Sequence, residues 1–337
     1  MSIKSKITLV ERLQEKFEIA QKSTLAGTGE AAAVITCNDH IRKLICSDML
    51  LEGIHFNLVY DPLKHLGYRL VTAGVSKIAA MNGLAMQILV SVAVSSRFSD
   101  ENLETLFDGI RTACVDFKLD LAGFDLFTSL TGMTLTITAI GEVAEDAVSY
   151  SSGAKVNDLI CVSGDLGAAY MGLLLLERER RVFETNPQIQ PKLEGYDYIL
   201  QRRLKPLART DIVESLKEAG IRPTSMRVLT DGLSSEMLHI CRQSGIGARI
   251  YLEKIPIAAE TFKICEEMNF DAVTAAMNGG DDYELLFTLP IAEYDKIKSK
   301  SGFNLIGHIT EARKGRFLIT PEGEEIELTT LVFLKAE

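Results

Sequence analysis

The segment Met133–Val143, with the sequence MTLTITAIGEV, alternates threonine with apolar side chains. Its threonines point to one side of an extended chain, and Leu135, Ile137 and Ala139 point to the other. A helix cannot separate these two sets of side chains, because its faces repeat every 3.6 residues rather than every two. The segment therefore predicts a strand in a sheet whose two faces meet unlike surroundings.

Similar patterns place helices and strands along the rest of the chain. Residues 99–117 predict an amphipathic helix, which Ser99 can cap and whose apolar stripe runs from Leu103 to Phe117. Helices are also predicted over residues 7–17, 65–81 and 232–245, strands over 43–50, 87–94, 282–289 and 303–309, a strand, glycine turn and long helix over 159–181, and a loop over 187–198. Because strands and helices alternate in both halves, we expect a two-domain α/β or α+β protein with domains at residues 1–145 and 146–337.

The net charge and the hydrophobic segments of the chain limit the partners and the location that we expect. The 337 residues carry a formal net charge of −10, which disfavours nucleic acid and anionic membranes as partners. Residues 78–96 carry no charge, but Asn82-Gly83 and a change of period indicate a helix that runs into a strand rather than a membrane span. The first 17 residues lack the apolar core of a signal peptide, and no two cysteines have CxxC spacing. We therefore expect a cytoplasmic protein whose cysteines are buried free thiols.

Several aspartates stand beside glycines or near the ends of predicted strands: Asp48, Asp125, Asp231, Asp281 and Asp282. Short acids on turns after strands can converge at one sheet edge and bind Mg²⁺, which in turn bridges phosphates. The alternative is that Asp-Gly and Gly-Asp are ordinary turn sequences. His55 has the same two interpretations, as a phosphate ligand or as a residue that fills a turn.

The segment VSGDLGAAYMG, residues 162–172, places two glycines between a strand and a helix. Backbone N–H groups in such a turn can bind phosphate, although the sequence matches neither GxGxxG nor GxxxxGK[ST]. Tight packing of the helix explains the glycines equally well. From the residues alone, the chain is a two-domain α/β protein with an acid-rich candidate site for phosphate and Mg²⁺.

At these motifs the chain resembles the thiamine-monophosphate kinase family, which is related to aminoimidazole ribonucleotide synthetase. The resemblance covers nearly the whole chain and rests on the collinear segments SDMLLEGIHF, HLGYRLVTAGVSKIAAMNG, SSGAKVNDLICVSGDLGAA, TDGLSSEMLHICRQSGIGARI and NGGDDYELLFTLP. It implies an N-terminal α/β domain whose strands form a shared barrel-like sheet in a homodimer. It also implies transfer of the γ-phosphoryl group of ATP to thiamine monophosphate, with several Mg²⁺ ions held by aspartates.

The resemblance also implies roles for individual residues. The expected metal ligands are Glu30, Ser47, Asp48, Asp125 and Asp231. The expected ATP-binding residues are Phe124, Asp125, Thr230 and Asp231, and the expected substrate-binding residues are His55, Asp281 and Phe333, the last as a stacking aromatic ring. The resemblance leaves the catalytic residues unassigned.

Several positions depart from the family pattern, among them Glu30 for an aspartate, Phe124 for a glycine and Asp281 for a glutamate, and four others change the charge of the site. Ala31, Lys77 and Val228 stand where the family has acids, and Ser151 stands where it has a phosphate-facing arginine. Fewer carboxylates and one added cation weaken Mg²⁺ binding. For Lys77, the alternatives are direct pairing with a phosphate in place of a metal, and pairing with a remaining acid such as Asp48 or Asp125.

Three hypotheses about function follow from these departures. The first is an active but impaired thiamine-monophosphate kinase that uses ATP and a reduced number of Mg²⁺ ions. The second is a catalytically silent paralogue that binds nucleotide or thiamine phosphate, or acts by pairing with an intact subunit. The third is a related phosphotransferase with another substrate.

Overall fold

The structure is a computed structural model that describes residues 19, 21–27, 30–298 and 302–329. The helix predicted over residues 7–17 and the predicted substrate ligand Phe333 lie outside these residues. Two sheets account for the strands of the described chain, one built from residues 24–144 and the other from residues 159–327. This arrangement agrees with the predicted α/β class; the division at 145/146 stays a prediction.

The N-terminal sheet has six strands in the order β1-β2-β3-β6-β4-β5. Its strands are β1 Thr24–Ala26, β2 Ala33–Thr36, β3 Ile41–Leu51, β4 Leu84–Val94, β5 Asp120–Thr128 and β6 Met133–Ala144. All neighbours are antiparallel except β4 and β5, which are parallel because a helix joins them. The sheet of one chain is open, with β1 and β5 at its edges, and it does not close into a barrel.

Two helices, α1 Leu63–Ala79 and α2 Asp100–Phe117, cover one face of this sheet. The alternation in β6 is confirmed: Leu135, Ile137 and Ala139 are fully buried under the helices, and the threonines between them are partly exposed. This face of the sheet and the two helices form the N-terminal core.

The predicted boundaries are confirmed for α2, whereas α1 runs from Leu63 to Ala79 rather than over residues 65–81. Ser99 accepts a hydrogen bond from the N–H of Asn102, whose side chain accepts one from the N–H of Ser99, so the two close a reciprocal cap. After α1, Asn82 has a φ of 59°, a left-handed conformation that is typical of a residue just beyond the end of a helix. The uncharged run 78–96 is therefore the end of α1 followed by β4, and no described helix is long and apolar enough to cross a membrane.

The C-terminal sheet has seven strands in the order β13-β12-β9-β11-β7-β10-β8. Its strands are β7 Leu159–Ser163, β8 Ser225–Val228, β9 Ile246–Tyr251, β10 Leu285–Leu289, β11 Phe303–Glu311, β12 Arg316–Ile319 and β13 Glu325–Glu327. Its helices are α3 Ala168–Thr185, α4 Asp197–Leu204, α5 Thr210–Glu218, α6 Leu233–Ser244, α7 Ala259–Glu267, α8 Ala272–Asn278 and α9 Tyr294–Ile297. Helix α6 ends at Gly245 as predicted. Strands β8, β9, β12 and β13 and helices α4, α5, α7, α8 and α9 were not predicted.

Helix α1 also contacts the C-terminal half of the chain, at β8, α4 and α5. Its small residues Ala73, Ala79 and Ala80 belong to one buried apolar cluster with Val228 and Tyr283. The two halves therefore share a hydrophobic core at α1, which fixes the position of β8 and of the segment before β10 relative to the N-terminal sheet.

Two predictions about the acids and cysteines are corrected by the structure. Asp48 and Asp125 lie inside β3 and β5 rather than on turns after strands, because both strands continue past the acid. Asp281 and Asp282 precede β10, which begins at Leu285 rather than at residue 282. All six cysteines are free, as predicted, but Cys37 is exposed and Cys114 is half-buried.

The glycine turn before α3 is filled from within the chain. The N–H groups of Gly167 and Ala169 donate to the buried carboxylate of Asp282, at 3.0 and 3.4 Å. Gly167 has a φ of 88°, and a Cβ there would lie 2.9 Å from the backbone nitrogen of Ala276. The structure therefore favours tight packing over phosphate binding at this turn.

Helices α1 and α2 cross at two glycines. A Cβ on Gly109 would lie 1.9 Å from the carbonyl oxygen of Lys64, and one on Gly67 would lie 2.1 Å from that of Leu106. Both neighbours are backbone atoms, so the helices themselves would have to separate to admit a methyl group.

We predict that Gly109→Ala lowers the free energy of unfolding by about 2 kcal/mol or more, even though alanine favours helix, because overpacking displaces two buried helices. Urea denaturation measures this change. Gly123→Ala is the matched control, since a Cβ there makes only an ordinary contact at 3.6 Å with Leu89. Equal stability of the two variants would contradict the close crossing.

Burial raises the pKa of Asp282 to about 7, while Arg202 and the N–H of Gly167 oppose the rise. Because the folded protein binds this proton more tightly than the unfolded chain, the stabilisation is complete below the unfolded pKa and is lost as pH rises through about 7. We predict that Asp282→Asn gains stability relative to wild type between pH 5 and 7, by up to about 1.4 kcal/mol per pH unit. Urea denaturation across this range measures the difference, and parallel stability curves would contradict it.

Candidate functional site

Two segments of the C-terminal half pair side by side next to α1. The N–H of Asp281 donates to the carbonyl oxygen of Thr230 at 3.0 Å, and the N–H of Tyr283 donates to that of Leu229 at 3.1 Å. These bonds bring Thr230 and the adjoining Asp231 beside Asp281, three of the predicted site residues. The two segments form one end of the candidate site.

The backbone of this segment is held in an unusual conformation. Gly280, Asp281 and Tyr283 have φ values of 77°, 58° and 55°. Positive φ is strained for any residue other than glycine, and a bulky tyrosine adopts it only where the surrounding structure enforces it. The hydrogen bonds to residues 229–230 and the burial of Tyr283 supply that enforcement.

Asp48 lies on the helix-facing side of β3, where the side chain of Lys77 reaches it from α1. The Nζ atom of Lys77 is 3.0 Å from Oδ2 of Asp48, and it donates to the carbonyl oxygen of Ser47 at 3.0 Å. Both side chains are about 30% exposed, at 27% for Lys77 and 30% for Asp48. Of the two acids named as partners for Lys77, the structure shows Asp48 as the one that it pairs with.

Tyr283 joins this pair to the C-terminal segment. Burial raises the pKa of its hydroxyl far above the usual range, Asp281 and then Asp48 add to the rise, and Arg69 and Arg203 oppose it. Charged groups from both halves of the chain therefore surround one buried ring. Arg203, itself buried, donates to Oδ2 of Asp281 at 2.6 Å.

His55 closes the turn that follows β3. Its Nδ1 accepts a hydrogen bond from the N–H of Leu51 at 3.0 Å, and its carbonyl oxygen accepts one from Arg69 at 3.1 Å. Arg69 also forms a buried ion pair with Asp61 at 3.0 Å. The contacts of His55 favour a turn-filling residue; its predicted role in substrate binding stays a prediction.

A second cluster of charges lies where the N-terminal loop meets β8. The carboxylate of Glu30 accepts from the N–H of Ser151 at 2.8 Å, and Arg227 donates to the hydroxyl of Ser151 at 3.0 Å. Arg227 also pairs with the buried Glu236, whose pKa is raised by burial and lowered in part by Arg227. Glu236 accepts a long hydrogen bond, 3.5 Å, from the hydroxyl of Thr230. A guanidinium group is thus present beside residue 151, although residue 151 itself is serine.

The structure does not bring Asp125 to Asp48. Across the sheet, Asp48 is in register with Ile137, Val90 and Phe124, so these residues share the helix-facing side. Asp125 is in register with Ser91 and so points to the opposite face, as does the side chain of Ser47. Within one chain, the predicted metal ligands of the N-terminal sheet therefore lie on opposite faces of that sheet.

Ala31 and Val228, two of the positions where the resemblance implies acids, lie in apolar surroundings. Val228 is buried in the cluster that α1 shares with the C-terminal half, and Ala31 packs against the same cluster. A carboxylate at either position would enter a hydrophobic contact between the two halves.

The acids of the site do not fit a set of several protein-held magnesium ions. Among the described residues, no three His, Cys, Asp or Glu side chains lie close enough together to hold a metal ion. Asp48 and Asp281 are each paired with a cation, at 3.0 and 2.6 Å. These carboxylates are already neutralised by the chain itself.

The sequence analysis missed three basic residues of the site, Arg69, Arg203 and Arg227. Arg227 lies in the segment SMRVL, in and after β8, whose other residues are buried. Arg69 lies in the segment LGYRLV of α1, whose other residues are also buried. A lone cation in an otherwise apolar segment is a signal that could have found these two residues. Arg203 lies in the polar run QRRLK, where no such contrast exists.

Sequence comparisons identify the family of the chain. The family of AIR synthase related proteins, N-terminal domain, matches residues 29–143. The thiamine-monophosphate kinase of Buchnera aphidicola subsp. Schizaphis graminum is 30% identical over 319 residues, which cover 92% of this chain and 93% of that protein. The thiamine-monophosphate kinase of Bacillus subtilis is 29% identical over 310 residues, covering 89% of this chain and 90% of the relative.

Structural comparison gives the same result. The solved structure of AaThiL complexed with AMPPCP and TMP superposes with a TM-score of 0.80 and 25% identity, covering 97% of this chain and 95% of that one. The likeness extends over both sheets. The chain belongs to the thiamine-monophosphate kinase family.

Proposed function

We propose that this protein is an ATP-dependent kinase that phosphorylates thiamine monophosphate to thiamine diphosphate. The observation that carries the proposal is 30% identity to a thiamine-monophosphate kinase over more than nine-tenths of both chains. The structural likeness to AaThiL, which was solved with the ATP analogue AMPPCP and with TMP, supports the same pair of substrates. The proposal places the protein in the cytoplasm, where ATP is available.

In this reaction an oxygen of the substrate phosphate forms a bond to the γ-phosphorus of ATP, the bond from that phosphorus to the β-phosphate oxygen breaks, and ADP leaves. Such transfers depend mainly on positioning and on neutralising the crowded phosphates. The described site offers Lys77, Arg69, Arg203 and Arg227 for this purpose, each held by an acid at its side.

We assign Arg227 to phosphate binding. Its guanidinium contacts the hydroxyl of Ser151, and 19% of its side chain remains exposed although Glu236 beneath it is buried. A planar guanidinium with spare donors suits phosphate oxygens. Asp231 and Thr230 adjoin this group, and we propose that they position the nucleotide.

The number of Mg²⁺ ions that the protein can hold depends on how many carboxylates of the site remain unpaired. Mg²⁺ reaches a kinase with the phosphates of ATP, and further ions need carboxylates that the chain leaves unpaired. Asp48 and Asp281 are paired with cations, so we propose that fewer ions are held here than the resemblance implies and that turnover is correspondingly slow.

We further propose that the protein is a homodimer that joins through the outer face of the N-terminal sheet. The face opposite α1 and α2 exposes the apolar side chains of Met49, Leu89 and Phe127, and β5 is an edge strand with unpaired backbone groups. A second copy would cover this face and extend the sheet across a two-fold axis. It would also enclose Asp125, which lies on this face.

We predict that purified protein converts ATP and thiamine monophosphate into equal amounts of ADP and thiamine diphosphate. Asp231→Asn should lower kcat/KM by roughly a hundredfold or more, because it removes a charge placed beside the phosphates. Chromatographic separation of both products measures the rate.

Asp295→Asn is the matched control, because Asp295 is an exposed acid that pairs with Lys298 three residues along the chain, and it should retain the wild-type rate within about twofold. Absence of product at high enzyme concentration would contradict the kinase proposal. If ATP and thiamine monophosphate still bound in that case, the result would favour the catalytically silent alternative.

We predict a dimer in solution, about twice the 37.1 kDa of one chain. Phe127→Glu should weaken it by roughly a hundredfold or more, because a two-fold interface would bury the new charge twice. Sedimentation velocity at several concentrations measures the dissociation constant. Ile291→Glu, a change at an equally exposed apolar residue of the C-terminal half, should leave the dimer intact. A wild-type monomer would contradict the prediction.

A further inference from the structure

The ammonium group of Lys77 occupies an oxygen-lined position. Its Nζ atom lies 3.0 Å from a carboxylate oxygen of Asp48 and 3.0 Å from the carbonyl oxygen of Ser47. Carboxylate and backbone carbonyl oxygens are the donors that hard cations such as Mg²⁺ prefer. The chain therefore supplies its own cation at a place whose oxygens suit a divalent ion.

We propose that Lys77 acts as a built-in cation that takes the place of a divalent ion on Asp48 and binds a phosphate group of the substrate directly. An ammonium group has three N–H donors, and Asp48 and Ser47 take two of them. The third is left for an anionic ligand, and more than a quarter of the side chain is open to it. The identity of that ligand as a nucleotide rests on the proposed function; the cation replacement does not.

The position of Lys77 favours a cation over an acid. It lies in the last turn of α1, where the partial negative charge of the helix terminus stabilises a positive side chain. Its helix neighbours Ser76 and Ile78 are buried, so the backbone of this turn is fixed and the long side chain extends from it to β3. An ion pair with a purely structural role would not need a lysine at this fixed position, because partly exposed ion pairs contribute little to stability.

The surroundings of Asp48 also disfavour a metal ion. A divalent ion on Asp48 would have to displace the ammonium or lie beside it, and like charges repel strongly at this range. Of the other predicted metal ligands, Asp125 lies on the opposite face of the sheet and Glu30 is bound to the N–H of Ser151. Among the described residues, no three His, Cys, Asp or Glu side chains come close enough together to hold a metal ion at this place.

The first experiment measures metal binding without any substrate. Mn²⁺ is titrated into wild type, Lys77→Met and Lys77→Asp, and free Mn²⁺ is followed by electron paramagnetic resonance. We expect weak binding to wild type, and at least tenfold tighter binding to Lys77→Asp, with Lys77→Met between them. Lys43→Met is the matched control, because Lys43 forms a comparable pair with Glu142 on the other face of the same sheet, and it should bind Mn²⁺ like wild type. Equal Mn²⁺ affinity of wild type and Lys77→Asp would overturn the proposal.

The second experiment measures anion binding by calorimetry, with inorganic tripolyphosphate and with ATP, in EDTA and in excess Mg²⁺. We expect wild type to bind each anion in EDTA within about threefold of its affinity in Mg²⁺. Lys77→Met should lose at least tenfold in EDTA, and Lys77→Arg, which keeps the charge, should lose less than threefold. Wild-type binding that disappears in EDTA, or unchanged binding by Lys77→Met, would overturn the proposal.

Thermal melting of each variant shows that it is folded, and Lys77→Arg separates loss of charge from loss of packing. Binding of tripolyphosphate but not of ATP would refute the nucleotide in the proposed function while supporting the role of Lys77. ATP binding that requires Mg²⁺ would support the nucleotide in the proposed function while refuting the role of Lys77.

Discussion

The burial of α1 on all sides is the constraint on which the rest of the structure depends. A surface helix has one apolar stripe, but from Leu66 to Ala79 all but one residue of α1 are buried, and the exception is Lys77. One side of the helix packs on β3, β4 and β6, and another packs on α2 and the C-terminal half. Because the helix is shared, the two sheets cannot be placed independently, and β8 and the segment before β10 are held against the N-terminal sheet.

The charges of the site follow from this packing. The buried part of a helix can carry a cation only where a partner meets it, and both cations between Leu66 and Ala79 have one: Arg69 meets Asp61, and Lys77 meets Asp48. The same holds across the boundary, where Arg203 meets Asp281 and Arg227 meets Glu236. The site is therefore a set of matched pairs around Tyr283 and Ser151, rather than a group of free carboxylates.

The parts of the fold that could be predicted are those whose signal is local. The alternation in β6 and the cap at Ser99 each depend on a few neighbouring residues, and both are found as predicted. The turn at Asn82 is also found, although α1 already ends at Ala79. The placement of the acids could not be predicted in this way. Whether Asp48 and Asp125 share a face depends on strand order and register across β3, β6, β4 and β5, which is set by the packing of the whole sheet. For Lys77, the sequence left a phosphate or a remaining acid such as Asp48 or Asp125 as the partner. The strand register decides between the two acids, because it places them on opposite faces of the sheet.

The departures from the family pattern are matched by their surroundings. An acid lost at random from a polar site leaves unpaired charges or a cavity behind, and both are costly. Here Val228 and Ala31 instead join an apolar cluster between the two halves, Lys77 neutralises Asp48, and Arg227 brings a guanidinium to Ser151. Each change thus has a partner that makes it favourable in the folded state. That pattern is expected of a site rebuilt around fixed internal cations, and it is not expected of one that has merely lost its metal ligands.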